Sequence, residues 1–130
     1  MKTVVLTAAL LFGATAALAD PVEGVWKSKP DDNGKFGHVQ ISPCGDKFCG
    51  VLIEAFDETG AKVDSPNVGK KILWDMTANG DGTYGGGKVW APDRDKTYNS
   101  RMTLSGSALS VSGCVMGGLI CRASNWSRVN

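Results

Sequence analysis

The sequence predicts an all-β domain of eight short antiparallel strands, folded as a small barrel or a sandwich. Three observations carry this. Apolar and polar residues alternate with period 2 in run after run, and no stretch after residue 19 shows a clear 3.6-residue period. The runs are short and separated by Gly-, Asn- and Asp-rich turns. Glycine is abundant, with 17 residues, which suits tight turns and disfavours long helices.

The strand signals follow in order. Val22, Gly24 and Trp26 share one face of the first run. Gly37-His38-Val39-Gln40-Ile41 alternates around Val39 and Ile41, and Phe48 to Phe56 is apolar on both faces. Ile72, Trp74 and Met76 share a face in the fourth run. Thr83 to Trp90 is Gly-rich, with Tyr84 and Trp90 in phase. Tyr98, Ser100, Met102 and Leu104 share a face in the sixth. Leu109, Val111, Gly113 and Val115 alternate cleanly with Ser110 and Ser112. Ile120 to Val129 is the eighth run, with Trp126 in phase with Arg122 and Arg128. Asp31-Asp32-Asn33-Gly34 and Asn79-Gly80-Asp81-Gly82 are hairpin turns, because these residues tolerate positive φ. Asp57 to Gly69 is the one long connection. Eight strands is also the number at which a closed barrel just fills with side chains or holds one small ligand. Closure removes exposed sheet edges.

Residues 1–19 read as a cleavable export leader. Lys2 is the positive start, Val4 to Phe12 the apolar core, and Ala17-Leu18-Ala19 the small-residue cleavage site. The apolar stretch is short for a membrane span, and no second one follows. The expectation is a periplasmic or secreted protein with a single domain over residues 20–130 and no membrane insertion. The chain carries 14 Lys+Arg and 13 Asp+Glu; Lys2 leaves with the leader, so 13 of each remain. No basic block or stripe exists, which argues against nucleic acid and against an anionic membrane surface.

Four cysteines, Cys44, Cys49, Cys114 and Cys121, follow the leader. An even count in an exported chain reads as disulfides. A four-cysteine zinc site fits poorly, because six residues separate Cys114 from Cys121. Each sequential pair brackets a turn-like loop between strands, so the expected bridges are Cys44 to Cys49 and Cys114 to Cys121.

Several of these residues together carry a resemblance. Gly24-x-Trp26 near the start and Trp126-x-Arg128 near the end resemble the lipocalin and calycin signature, in which an Arg packs over the first-strand Trp. A more specific pattern runs through Val39-x-Ile41-x-x-Cys44-Gly45-x-x-x-Cys49-Gly50, Gly86-Gly87-x-Val89-Trp90-x-Pro92, Lys96-Thr97-Tyr98, Leu109-x-Val111-x-Gly113-Cys114 and Leu119-x-Cys121-Arg122. It resembles an uncharacterised family of small exported bacterial proteins, domain of unknown function 2147. The resemblance implies an eight-stranded lipocalin-like barrel closed by Trp26 and Arg128, and brings no activity or ligand. Asp95 departs from the pattern, since relatives favour a turn glycine there.

Chemistry is thinly signalled, and the expectation is a non-enzyme without cofactor, catalytic set or metal. His38 is the one histidine and sits on a strand face, without the convergent partners of a nucleophilic triad. The carboxylate pairs Asp31-Asp32, Asp57-Glu58 and Asp93-x-Asp95 all lie in turn-like stretches, where Asp caps backbone amides. Asp75-x-Thr77-x-Asn79-Gly80-Asp81 echoes a calcium loop, but Gly86 stands where the bidentate Glu belongs. The aromatic residues are the remaining lead. Trp26 and Trp126 read as core. Trp74, Trp90 and Tyr98 either fill the interior or form one wall of a ligand site, under the Asp57 to Gly69 loop. The expected ligand is small and largely apolar or amphipathic. The rival reading is a filled barrel acting as an envelope interaction module, its protein partner not named by the sequence.

Overall fold

The computed structural model describes residues 19–130. The leader lies outside the described residues, apart from Ala19 at its end. From Gly24 the chain is almost entirely strand: β1 Gly24–Lys27, β2 Phe36–Cys44, β3 Lys47–Phe56, β4 Lys62–Val63, β5 Lys71–Ala78, β6 Thr83–Ala91, β7 Lys96–Ser105, β8 Ala108–Val115 and β9 Ile120–Arg128. A single 3-10 turn, Met116–Gly118, joins β8 to β9.

Every pairing is antiparallel. The ring runs β1, β2, β3, β5, β6, β7, β8, β9 and back to β1, a closed barrel of eight strands. These are the eight runs read from the alternation. β4 is a two-residue addition inside the long connection and pairs only with β3. The seam is short. Trp26 stands opposite Arg128 and Lys27 opposite Ser127, and Val25 N–H donates to the Asn130 carbonyl at 2.8 Å.

The up-and-down order gives the barrel two unlike ends. At one end lie the start of β1, the end of β9 and the β2–β3, β5–β6 and β7–β8 turns. Here the core is dense: Trp26, Leu73, Met76, Met102 and Leu109 are essentially fully buried. Each such side chain contributes roughly 1.5–3 kcal/mol of transfer free energy. Val22 covers this end, its carbonyl accepting a hydrogen bond from Trp26 Nε1 at 2.9 Å. Gly24 has φ +136, and a Cβ there would meet the Asn130 carbonyl oxygen at 2.5 Å and Arg128 Nη1 at 2.7 Å, so only glycine fits against the closing strand.

Both disulfides are local. Cys44 bridges Cys49 across the β2–β3 turn, with Cα atoms 5.7 Å apart. Cys114 bridges Cys121 across the β8–β9 turn, with Cα atoms 4.1 Å apart. The turn chemistry is as expected. Asp31 Oδ1 accepts from the Asn33 and Lys35 amides, and Asp81 Oδ1 from the Thr83 amide. Asp95 takes φ +47, the left-handed conformation that a turn glycine adopts easily.

Register shifts interrupt three pairings, one of them β2–β3 at His38/Val39, and the other two change which side chains are buried. The β3–β5 pairing shifts register around Gly50, and Asp75 has φ +57. Ile72, Leu73 and Met76 are therefore buried together, while Trp74 is only half-buried. The expected face of Ile72, Trp74 and Met76 does not form. In β6 the register shifts between Tyr84 and Gly87, with Gly86 at φ +73. Tyr84 is buried, but the phase then flips, and Trp90 no longer shares its face.

Candidate functional site

The other end of the barrel is open. Its rim is made by the β1–β2, β3–β5 and β6–β7 connections and the disulfide-bridged β8–β9 turn. Below the rim is a cavity of about 350 Å3. Strand alternation places its walls. β6 supplies Val89 and Ala91, β7 supplies Tyr98, β8 supplies Val111 and Gly113, and β9 supplies Arg122, Ser124 and Trp126. Trp126, 6% exposed, joins the cavity to the packed core beneath it.

The walls interlock by register. Val89 stands opposite Tyr98, Val111 opposite Ser124, and Gly113 opposite Arg122. A Cβ on Gly113 would lie 3.4 Å from the Tyr98 ring, so the missing side chain leaves that ring room against the β8 backbone. Lys29, Pro30, Asp31 and Asp32 of the β1–β2 loop overhang the mouth from one side, and Asp93 and Arg94 from another. The two sides touch through Arg94, whose guanidinium lies 3.9 Å from both Asp32 and Asp93. A hydrogen bond toward the Tyr98 oxygen, then these carboxylates, hold the Arg94 guanidinium above its ordinary pKa. A broader groove of about 860 Å3 adjoins the mouth under the β3–β5 connection, lined by Val39, Leu52 and Ile72 and by Phe36 and Phe56. The last two rings stack with centroids 4.9 Å apart.

The residues singled out from the sequence are distributed as follows. Tyr98 lines the cavity; Trp74 and Trp90 do not. Trp74 stands opposite exposed Lys88 on the outer side of the β5–β6 pair. Trp90 stands opposite Thr97, donates Nε1–H to Asp95 at 2.9 Å and carries the Lys70 ammonium 5.5 Å from its ring centroid. The three rings therefore do not form one wall. At the closed end Arg128 lies over Trp26, 4.3 Å from its centroid, and donates to the carbonyls of Glu23 and Pro21. His38 Nδ1 is 3.8 Å from Glu54 Oε2, and its ring lies against Phe56. Among the described residues no group of three or more His, Cys, Asp or Glu is placed to hold a metal ion. No helix among them is long and apolar enough to cross a membrane.

Of the lining residues only Tyr98 was expected there; Val89, Val111, Arg122 and Ser124 are among those that escaped the sequence reading. For Arg122 and Ser124 the signal was present, since both alternate in phase with Trp126. The rim carries a further feature. Val115, Met116, Leu119 and Ile120 are 42, 71, 80 and 54% exposed, an apolar tip beside the cavity mouth.

Two comparisons bear on the chain. A family model described as "Uncharacterized protein conserved in bacteria (DUF2147)" matches residues 24–128. The fold is similar to that of protein HP1028 from the human pathogen Helicobacter pylori, described as belonging to the lipocalin family. The TM-score is 0.67 and the identity 20%, over 83% of this chain and 82% of that one. A search of curated proteins finds no match.

Proposed function

Because the chain belongs to the uncharacterised bacterial family DUF2147 and folds as a lipocalin-like barrel, we propose that it is an exported binding protein that holds one small apolar or amphipathic molecule at the open end. The observation that carries this reading is the cavity of about 350 Å3 between Trp126 and the rim loops. That volume lies in the range of small-molecule sites, roughly 300–1,000 Å3. The lining mixes apolar wall with a few polar groups, as such sites do.

Export is supported by the leader features of residues 1–19 and by two disulfides, which persist in oxidising compartments. A local contact adds to this. The Asp20 main-chain nitrogen lies 2.7 Å from Glu23 Oε2, so removal of the leader after Ala19 would set an ammonium against that carboxylate. The bound molecule is held and not transformed, and the protein is not an enzyme.

The test is titration of the purified protein with fatty acids, terpenoids and quinones while tryptophan emission is followed. Gly113→Phe, which fills the cavity from β8, is the control. A saturable change in the wild type that Gly113→Phe abolishes supports the reading, and flat emission across the panel removes it. The exposed tip at Met116 and Leu119 favours a second reading, in which the barrel is an envelope interaction module. Flat titrations with intact folding would promote that one.

A further inference from the structure

Arg122 lines the cavity wall with its side chain exposed, and Ser124 and the buried Trp126 follow it down the same face of β9. Among the described residues no carboxylate lies within salt-bridge distance of its guanidinium, and no side-chain hydrogen bond engages it. The other two arginines placed at the barrel ends are both held. Arg94 has Asp32 and Asp93, and Arg128 has the Trp26 ring and two carbonyls. An exposed guanidinium that no described side chain engages is open to an anion arriving from solution.

Its surroundings leave room for a partner to come from outside the chain. Gly113 stands directly opposite in register and has no side chain to cover it. Ser124 supplies a hydroxyl two residues further in, about 6.7 Å along the strand. The wall around them is apolar: Val111 opposite Ser124, the Trp126 ring, and Val89 opposite Tyr98.

We propose that the occupant of the cavity is an amphipathic acid, its carboxylate received by Arg122 and Ser124 and its apolar chain directed toward Trp126. The inference rests on the cavity reading above and narrows it. A planar guanidinium fork matches the two oxygens of a carboxylate. Arg122 offers one positive charge to one carboxylate, while at the mouth Lys29 and Arg94 stand beside Asp31, Asp32 and Asp93. The near-zero net charge of the chain does not decide the matter, because the local charge inside the cavity does.

The experiment is calorimetric titration of the wild type, Arg122→Gln and Arg122→Lys with decanoate, decanol and methyl decanoate at neutral pH. Melting of each unliganded protein is followed alongside. The expected result is decanoate binding about tenfold tighter than decanol or the ester in the wild type, the scale of one charge-assisted hydrogen-bonded pair. Arg122→Gln should bring the three probes level, and Arg122→Lys should keep part of the preference. The unliganded melting temperature should not fall in Arg122→Gln, because the charge has no partner to lose. Equal binding of all three probes to the wild type, or a preference that survives in Arg122→Gln, overturns the acid assignment and leaves the cavity reading standing. No binding of any probe to the wild type overturns both.

Discussion

The Arg128 guanidinium sits 4.3 Å from the centre of the Trp26 ring and donates to the carbonyls of Glu23 and Pro21. One side chain of the last strand thereby fixes the first strand and the segment before it, where only two residue pairs close the barrel. Arg128→Ala should lower stability by about 2 kcal/mol, the upper end of a desolvated cation–π contact. Arg128→Lys should recover only part, lacking the planar fork. The denaturant midpoint measures this, and an unchanged midpoint in Arg128→Ala would show that the seam holds without the pair.

Tyr84 lies 64 residues from Asp20 in sequence, yet its hydroxyl donates to Asp20 Oδ1 at 2.6 Å. Burial first, then this bond and the Asp20 charge, raise the phenol pKa well above its usual value. The native state therefore favours the protonated phenol more than the unfolded chain does. Its stabilisation should be complete below about pH 10, the unfolded value, and fall progressively above it. Tyr84→Phe should flatten the alkaline limb of a stability–pH curve. A limb as steep in the variant as in the wild type would contradict the assignment.

Acid acts at the turns with the opposite sign. Hydrogen bonds from Thr59 and Thr83 hold the Asp57 and Asp81 carboxyls below the usual carboxylate range. Their contribution is complete above the unfolded value of about 3.9 and is lost as pH falls below it. The Thr59 and Thr83 amide resonances should move on that descent, and Asp57→Ala should remove the change at Thr59 alone. Movement of Thr59 in the variant would count against the turn.

Each disulfide closes a short ring, so each should contribute about 2 kcal/mol by the loop-entropy relation. Cys44→Ala with Cys49→Ala should destabilise the closed end and leave ligand affinity nearly unchanged. Cys114→Ala with Cys121→Ala should loosen the rim next to Arg122 and weaken binding as well. Equal binding losses in the two double variants would contradict the separation of the two ends.

The barrel was legible in the sequence because its turns are punctuated by Asn-Gly, Asp-Gly and Ser-Gly and most strands keep period 2. β7 holds that period throughout and β8 as far as Gly113: Ser100, Met102, Leu109 and Val111 are buried as expected, whereas Cys114 is buried and Val115 exposed at the rim. The site was legible only in part, because strand phase cannot be followed through a bulge. One irregularity around Gly50 and Asp75 took Trp74 off the core face, and another at Gly86 took Trp90 out of phase with Tyr84, half-buried against the core. Both depend on how a strand meets its neighbour, which local pattern does not encode. Arg122 was visible as in phase with Trp126, but its lack of a partner appears only once the wall around it is assembled.

Of the four tryptophans of the chain, Trp126 alone lines the cavity. Their indole N–H resonances, followed by nuclear magnetic resonance during a decanoate titration, test the binding reading most directly. The expected result is a saturable shift of the Trp126 signal, with those of Trp26, Trp74 and Trp90 essentially unmoved. Shifts at Trp74 and Trp90 with Trp126 unmoved, or no shift at any of the four at saturating decanoate, would contradict it.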